Sequence, residues 1–214
     1  MPTFKEERLG ILLDQICEEI HFSGKRQILT TACSAATHAI ALATLWLKSG
    51  KVKRVLVGGI EIISTLTIEG FRSFQLLSNE VCTPFQSGRK GINLSDGSAF
   101  LCLETNSKKS LSTIEGVGFS TDAYHMTAPH PKGEGSYQAM KAAIQMAKIQ
   151  PSQIDWVHAH GTGSEHNDLS EGIALERLFE GKTPPVTSTN AVHGHSLATS
   201  GALDSVICVK ALQA

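Results

Sequence analysis

Long hydrophobic runs and an excess of one charge are both missing from this 214-residue chain. Its 19 Lys and Arg balance 20 Asp and Glu, which gives a formal net charge of -1 at pH 7. Without a basic block, the chain lacks the electrostatic footprint of a protein that binds nucleic acid or an anionic membrane. No window approaches the roughly 18 consecutive apolar residues of a membrane span, and the N-terminus MPTFKEERLG is too charged for a signal peptide. We therefore expect a cytoplasmic protein with no nucleic-acid partner and no membrane span.

Paired cysteines and nucleotide-binding motifs are missing as well. The cysteines at 17, 33, 82, 102 and 208 are odd in number and form no C-x-x-C pair, so neither a disulfide framework nor a zinc ribbon is indicated. The segment GVGFST lacks the third glycine of a dinucleotide fingerprint, and no G-x-S-x-G or P-loop motif occurs. Reduced thiols are expected, and nicotinamide, ATP and ordinary serine-esterase chemistry lose support.

Apolar strand-like segments alternate with helical ones along most of the chain. Strands are predicted over 27–33, 53–62, 97–105, 111–120, 154–162 and 184–190. Helices are predicted over 34–50, 133–149, 166–181 and 195–214. The alternation predicts a layered α/β fold with a largely buried sheet, in which the continuous apolar run 53–62 is buried on both faces. In each half an apolar strand ends at a reactive residue, Cys33 or His160, which indicates a duplicated βα unit.

Cys33 stands at the junction between a predicted strand and a long predicted helix. Backbone N–H groups and the positive end of the helix dipole would stabilise a thiolate there and lower the pKa of the thiol. The position suits a nucleophile. A small residue packed at a tight strand-to-helix turn is an equally good interpretation, since free cysteines are so often buried.

Two His-x-His pairs follow predicted strands, His158 with His160 and His193 with His195. Polar residues directly after buried strands lie at the edge of the sheet where α/β folds gather their sites. A single histidine is more often structural, but His160 and His195 taken together point to a site.

Asp168 and Glu171 follow the first His-x-His pair in sequence, and they raise the questions of metal binding and of catalysis. Asp168 offers a metal ligand, but Thr162 and Gly163 stand where a metallohydrolase motif has Asp and His, so we predict no metal. Asp168 and Glu171 lie one turn apart on a predicted helix. They suit either catalysis or the complementing of the helix dipole.

Five segments in a fixed order are the most specific feature of the sequence. They are TACSAA (31–36), PFQSGRKGINLSDGSAFLCLE (84–104), STDAYHMTAPHPKGEG (120–135), HAHGTGSEHND (158–168) and STNAVHGHSLATSGA (188–202). In order and spacing they resemble the β-ketoacyl-acyl carrier protein synthases, or ketosynthases, of fatty acid and polyketide pathways. The resemblance implies a thiolase-like layered fold, with helices packed on mixed sheets. It also implies two duplicated halves, 1–110 with the nucleophile and 111–214 with the two histidines.

The resemblance implies an acyltransferase that performs a decarboxylative Claisen condensation. Cys33 would accept an acyl group from acyl carrier protein, with its backbone N–H in the oxyanion hole. His160 and His195 would hydrogen-bond the malonyl thioester carbonyl and stabilise the enolate. Thr162 and Ser164 match positions that touch the phosphopantetheine arm.

Further features follow from the same resemblance. Asp168 and Glu171 match supporting carboxylates behind the site, and the segment 122–127 matches a loop that lines it. No cofactor is bound by the chain, because the substrate carries phosphopantetheine on acyl carrier protein. Acyl carrier protein and a second ketosynthase-like chain, in a homodimer or heterodimer, are the expected partners.

The sequence departs from the family pattern in two ways. Asn190 stands where the family has a lysine and brings no charge, so we expect the neighbouring histidine to protonate more readily. The family also has a further third of chain before the cysteine region and a Gly-rich turn after the last motif, and both are missing here. We therefore expect an incomplete fold, with activity reduced on the order of 10²–10³-fold by loss of an oxyanion donor.

Two other functions stay open at the level of sequence. One is a non-catalytic ketosynthase-like partner subunit, although such partners usually lose the nucleophile that Cys33 provides. The other is a thiol hydrolase that uses Cys33 with one histidine.

Overall fold

A computed structural model describes residues 9–105, 107–125 and 128–214. The charged segment 1–8 and residues 126–127 of the predicted site loop lie outside the described residues. The elements are α1 (Leu9–Glu19), α2 (Ala35–Lys48), β1 (Arg54–Glu61), α3 (Thr65–Ser73), β2 (Gly97–Glu104), α4 (Glu134–Ala147), β3 (Val157–His158), α5 (Glu165–Leu178), β4 (Val186–Thr187), α6 (Asn190–His193) and α7 (Ser200–Ala211). Short 3-10 turns cover Pro151–Gln153 and Leu197–Thr199. Among the residues described, every helix is too short or too polar to span a bilayer.

Within the described residues, the strands form two small sheets, one antiparallel and one parallel. β1 and β2 are antiparallel, with a register that runs from Arg54 opposite Glu104 to Glu61 opposite Gly97. β3 and β4 are parallel, with Val157 opposite Val186 and His158 opposite Thr187. The strands predicted over 53–62 and 97–105 are therefore confirmed, whereas those predicted over 154–162 and 184–190 are reduced to two residues each.

Two predicted strands are wrong. The segment 27–33 has only an isolated bridge between Thr31 and Cys33, and 111–120 contains no strand. Instead, 111–120 lies against α4, where an added Cβ on Gly116 or Gly118 would come within 2.1 or 2.0 Å of a helix carbonyl oxygen. A strand-like composition forms a strand only where a partner strand is available, and here the glycines allow contact with a helix backbone instead.

The expectation that 53–62 is buried on both faces is also wrong. Val57 is 7% exposed, whereas Leu56 is 57% and Ile62 77% exposed. The covered face of the β1–β2 pair packs on helices α2 and α7. Burial on both faces would need a second layer over the strand. In this chain one apolar face of β1 lies in the core and the other lies at the surface.

In the part of the chain that the structure describes, two apolar clusters hold the layers together. The first joins α2 and α7 to the β1–β2 pair through buried side chains of Ala36, Ile40, Ala43, Val57, Ala99 and Ala202. The second centres on the end of α5, where Leu175, Leu178 and Phe179 pack against α4 and the β3–β4 pair. Because α7 packs on the first cluster, the chain before α7 is brought beside the start of α2.

Helices α2 and α7 approach each other closely at Gly201. An added Cβ there would lie 1.9 Å from Thr37 Oγ1 and 2.9 Å from the Thr37 backbone nitrogen. Because Gly201 has no side chain, the segment that carries His195 can lie next to the turn that carries Cys33.

The variant Gly201→Ala is expected to lower the free energy of unfolding by about 1–3 kcal/mol, because the added methyl group overpacks the helix contact. The matched control is Gly172→Ala in α5, where an added Cβ meets no atom within 4 Å. That control is expected to raise stability by up to about 1 kcal/mol, since alanine is the better helix former. Denaturant unfolding followed by circular dichroism measures both. Equal stability of the two variants would contradict the close helix contact.

Candidate active site

Cys33 lies on a constrained turn directly before helix α2. The preceding residue, Ala32, has a φ of 52°, a left-handed conformation that costs a non-glycine residue about 1–3 kcal/mol. Ser34 Oγ donates a hydrogen bond to the carbonyl of Thr31 at 2.7 Å and closes the turn. The turn therefore presents the thiol at the start of α2, as the sequence predicts.

His195 is fixed beside this thiol by contacts on every side. Its Nε2 lies 3.0 Å from Cys33 Sγ, and its Nδ1 lies 3.0 Å from Ser200 Oγ. Its backbone N–H donates to Asn93 O at 2.6 Å, and its carbonyl accepts from the N–H of Ser95 at 3.1 Å. The side chain is 2% exposed. One ring nitrogen is thus aimed at the sulfur while the other is held by a hydroxyl.

His160 completes a cluster of three. The ring centroids of His160 and His195 are 4.9 Å apart, and the rings cross at 73°. Each residue of the cluster offers one donor atom, and these atoms of Cys33, His160 and His195 all lie within 4.8 Å of one another. Asp168, which the sequence offered as a metal ligand, is not part of this cluster. The fold therefore brings together residues up to 162 positions apart in sequence.

Glu171 and Asn190 hold the turn that carries His160. The Glu171 carboxylate accepts the backbone N–H groups of His160 at 2.8 Å and Gly161 at 2.9 Å. Asn190 Nδ2 donates to the carbonyls of the same two residues at 2.6 and 3.2 Å, and Ser188 Oγ donates to Gly161 O at 2.8 Å. The N–H and carbonyl groups of His160 and Gly161 are therefore all bound by side chains, which fixes the backbone that carries the His160 ring.

Asp168 ties a different pair of segments together. It is 2% exposed, and its two carboxylate oxygens accept the N–H groups of Phe85 at 2.8 Å and Gly163 at 3.2 Å. Arg89 lies 3.6 Å from the same carboxylate and donates to the carbonyl of Ser164 at 3.2 Å. Asp168 occupies the first turn of α5, where its charge complements the helix dipole.

Thr162 and Ser164 are buried beside the His160 turn. They are 5% and 9% exposed, and their hydroxyl oxygens are 3.0 Å apart. The backbone N–H of Ser164 also donates to Thr162 Oγ1 at 3.3 Å. These bonds lie within the turn, and a contact of either hydroxyl with phosphopantetheine stays a prediction.

Burial sets the charge state of the Cys33–His195 pair. It lowers the pKa of His195 to about 3, with smaller contributions from His160 and His193. Burial also raises the pKa of the Cys33 thiol, and the Glu61 carboxylate adds to this effect. The expectation that the helix start lowers the pKa of this thiol is wrong, because the cost of desolvating a thiolate outweighs the hydrogen bond from its own backbone.

The resting pair is therefore a neutral thiol beside a neutral imidazole. A neutral imidazole accepts the thiol proton as the sulfur attacks an electrophile, which activates a nucleophile without a standing ion pair. With the alternative tautomer, the same Nε2 donates a hydrogen bond to an oxyanion. The Ser200 hydroxyl supports both states, since it accepts from or donates to Nδ1.

Three residues that hold the histidines were not predicted from the sequence: Thr189, Ser200 and Asp204. His158 Nε2 lies 3.1 Å from Asp204 Oδ1, and Thr189 Oγ1 lies 3.4 Å from His158 Nε2 and 2.8 Å from His193 Nε2. Ser200 holds His195 directly. Ser200 and Asp204 are four positions apart on α7 and so share a helix face, but this spacing alone does not distinguish them from other polar residues of the helix.

The chain is similar to known protein families and to individual proteins of one family. Residues 15–109 match the family described as Beta-ketoacyl synthase, N-terminal domain, and residues 111–214 match Beta-ketoacyl synthase, C-terminal domain. Nodulation protein E of Rhizobium meliloti is 34% identical over 194 residues, which are 86% of this chain and 48% of that relative. The putative mitochondrial 3-oxoacyl-[acyl-carrier-protein] synthase of Schizosaccharomyces pombe is 34% identical over 217 residues, covering 92% of this chain and 51% of that relative.

A solved structure has the same fold as this chain. The ketosynthase ApeO, in complex with its chain length factor ApeC from Xenorhabdus doucetiae, superposes with a TM-score of 0.87 at 35% identity. The match covers 91% of this chain and 48% of that one. The thiolase-like α/β fold predicted from the sequence is thereby confirmed. The chain spans about half the length of the relatives it matches.

Proposed function

Because this chain belongs to the β-ketoacyl synthase family, we propose that it carries the condensing centre of an acyltransferase of fatty acid or polyketide biosynthesis. The observation that carries the proposal is the 3.0 Å contact between Cys33 Sγ and His195 Nε2, with the His160 ring crossing beside it. A thiol, a neutral base and a second imidazole are the groups that a decarboxylative Claisen condensation needs.

The first half-reaction transfers an acyl group to Cys33. The sulfur attacks the thioester carbonyl of acyl-acyl carrier protein, and His195 Nε2 takes the thiol proton. The tetrahedral intermediate collapses with loss of the phosphopantetheine thiolate, which takes the proton from the imidazole and leaves as a thiol. The product is a thioester on Cys33 and a neutral His195, whose Nε2 becomes a donor for the second substrate once the imidazole proton moves from Nδ1 to Nε2 by exchange with solvent.

The second half-reaction forms the new carbon–carbon bond. His160 and His195 donate hydrogen bonds to the thioester carbonyl of malonyl-acyl carrier protein, and carbon dioxide leaves as the enolate forms. The enolate carbon attacks the acyl group on Cys33, and the Cys33 sulfur leaves as a thiolate that takes a proton from solvent. The product is a 3-oxoacyl thioester on acyl carrier protein.

Other predicted residues support this centre. Glu171 and Asn190 position His160 through its backbone, and Asp168 anchors the loop beside Gly163. Thr162 and Ser164 are proposed to contact the phosphopantetheine arm, which the substrate brings, so that the chain itself binds no cofactor. In this proposal the nucleophile belongs to the half 1–110 and both histidines belong to the half 111–214.

The proposed partners are acyl carrier protein and a second ketosynthase-like chain, in a homodimer or heterodimer. Support comes from the Schizosaccharomyces pombe relative, whose name includes acyl carrier protein, and from ApeO, which was solved with a chain length factor. The proposed location is the cytoplasm. All five cysteines are free thiols, which suits a reducing compartment.

A condensation assay tests the function. The chain is incubated with acyl-acyl carrier protein and malonyl-acyl carrier protein, and 3-oxoacyl-acyl carrier protein is measured by mass spectrometry. The product is expected with the unaltered chain and with Cys102→Ser, and is expected to be lost with Cys33→Ala. Release of free fatty acid without condensation would indicate a thiol hydrolase. Stimulation of an added ketosynthase by the chain, equally strong with Cys33→Ala, would indicate a non-catalytic partner.

Replacement of Asn190 is expected to separate the two half-reactions. Asn190→Ala removes the donor to the carbonyls of His160 and Gly161, so decarboxylation is expected to fall about tenfold or more as His160 loses its position. Acyl loading on Cys33 is expected to change less, because His195 is held by other residues. Asn190→Lys keeps a donor for the same carbonyls and is expected to retain more decarboxylation than Asn190→Ala. Both half-reactions are measured across pH 5 to 9, and equal losses in both would contradict this role.

A further inference from the structure

We propose that Cys33, His160 and His195 form a binding site for Zn²⁺, which occupies the centre when no acyl group is loaded and blocks the thiol. The binding rests on the geometry of the three donor atoms alone. The consequence that Zn²⁺ prevents acyl loading rests on the proposed function.

The separations between the donor atoms fit a tetrahedral zinc ion. Zinc binds thiolate sulfur at about 2.3 Å and imidazole nitrogen at about 2.0–2.1 Å, so two ligands of a tetrahedral site lie about 3.5 Å apart. Cys33 Sγ and His195 Nε2 are 3.0 Å apart, and all three donor atoms lie within 4.8 Å of one another. The measured 3.0 Å separation is shorter than the required one and no separation exceeds 4.8 Å, so side-chain shifts of about 1 Å reach a tetrahedral arrangement.

The surroundings orient the ring of His195 and hold the backbone of His160. Metal-binding histidines usually donate their second ring N–H to an oxygen, which fixes the tautomer. Ser200 Oγ lies 3.0 Å from His195 Nδ1 and provides that oxygen, leaving the Nε2 lone pair directed at the cluster. The turn of His160 is held on both sides by Glu171 and Asn190. The site is therefore organised before a metal arrives.

The chemistry of the donors selects a borderline-soft divalent ion. One thiolate and two imidazoles suit zinc or cobalt better than magnesium or calcium, which prefer oxygen ligands. Binding replaces the proton of the Cys33 thiol with the metal and releases that proton to solvent, with no change of oxidation state. Cys33 and His160 are half-buried, so a water molecule has access to a fourth position.

Co²⁺ provides a direct spectroscopic test on the chain as it stands. We expect one Co²⁺ per chain with a sulfur-to-cobalt charge-transfer band, and displacement of that Co²⁺ by Zn²⁺. The band is expected to vanish in Cys33→Ser, and affinity is expected to fall more than about tenfold in His160→Gln and His195→Gln. Cys102→Ser and His166→Gln, which alter an exposed thiol and an exposed imidazole, are the matched controls and are expected to bind as the unaltered chain does.

Thiol protection tests the same site without any variant. Zn²⁺ is expected to slow alkylation of Cys33 by iodoacetamide at least about tenfold, and peptide mass mapping separates this from alkylation of Cys102. A band that persists in Cys33→Ser, unchanged affinity in both histidine variants, or unprotected Cys33 would overturn the zinc site. Acyl loading that proceeds at saturating Zn²⁺ would overturn the blocking of the thiol. A metal-free chain that is never acylated contradicts the proposed function, while the band and the protection still decide the zinc site.

Discussion

The variant His195→Ala is expected to lose malonyl decarboxylation by about 10²–10³-fold, the usual effect of removing one donor to a developing oxyanion. In the unaltered chain, the contact between Nδ1 and Ser200 Oγ holds this imidazole. In the proposed reaction its Nε2 would therefore meet the enolate oxygen without reorganisation. His160→Ala is expected to show a loss of similar size, because both rings face the same centre.

Release of carbon dioxide from malonyl-acyl carrier protein measures this loss directly. His166→Gln is the control, since His166 is exposed on α5 and is expected to leave the rate unchanged. The double variant of His160 and His195 is expected to lose little more than either single variant, because the two rings act together. Single variants that decarboxylate at the unaltered rate would show that the histidines do not stabilise the enolate.

Lowering the pH from 7 to 4 is expected to destabilise the fold by about 3 kcal/mol through His195 alone. Burial lowers the pKa of this imidazole from 6.5 to about 3 in the folded chain, so the unfolded chain takes up a proton that the folded chain does not. The contribution of His195 to stability is therefore complete above pH 6.5 and is lost as the pH falls towards 3. The titratable groups that face this ring are Cys33, His160 and His193.

Urea unfolding at a series of pH values isolates this effect. His195→Gln removes the titrating group, and its stability is expected to fall less between pH 7 and 4 than that of the unaltered chain. The exposed His166→Gln variant is expected to keep the full pH dependence. Parallel curves for His195→Gln and the unaltered chain would mean that the imidazole is not held neutral by burial.

The sequence predicts the cluster of Cys33, His160 and His195 better than it predicts the backbone around it. Cys33, His160 and His195 could be selected because each follows an apolar segment within an ordered motif, and the fold brings them together. Predicted strands over 27–33 and 111–120 failed because strand formation depends on a neighbouring strand, which local composition does not specify. The expectation that β1 is buried on both faces is wrong for the same reason. Whether a second layer covers a strand depends on tertiary packing, which local composition does not specify.

The pKa of Cys33 and the role of Asp168 also depend on tertiary packing that the sequence does not specify. The helix start predicts a lowered pKa for Cys33, but burial raises it, and the extent of burial depends on the packing of α7 against α2. For Asp168 the sequence left catalysis and a helix-dipole role open, and its bonds to Phe85 and Gly163 give it an anchoring position. Ser200 was missed because a serine five residues after a histidine carries no distinctive motif.

Acylation of Cys33 tests the central claim most directly. The chain is incubated with an acyl-acyl carrier protein thioester, and the site of modification is found by intact-protein mass and peptide mapping. The result expected is a gain of one acyl mass on Cys33, which is lost in Cys33→Ala and kept in Cys102→Ser. An acyl group on Cys17, Cys82, Cys102 or Cys208 instead, or an acyl mass that persists in Cys33→Ala, would contradict the assignment of Cys33 as the nucleophile.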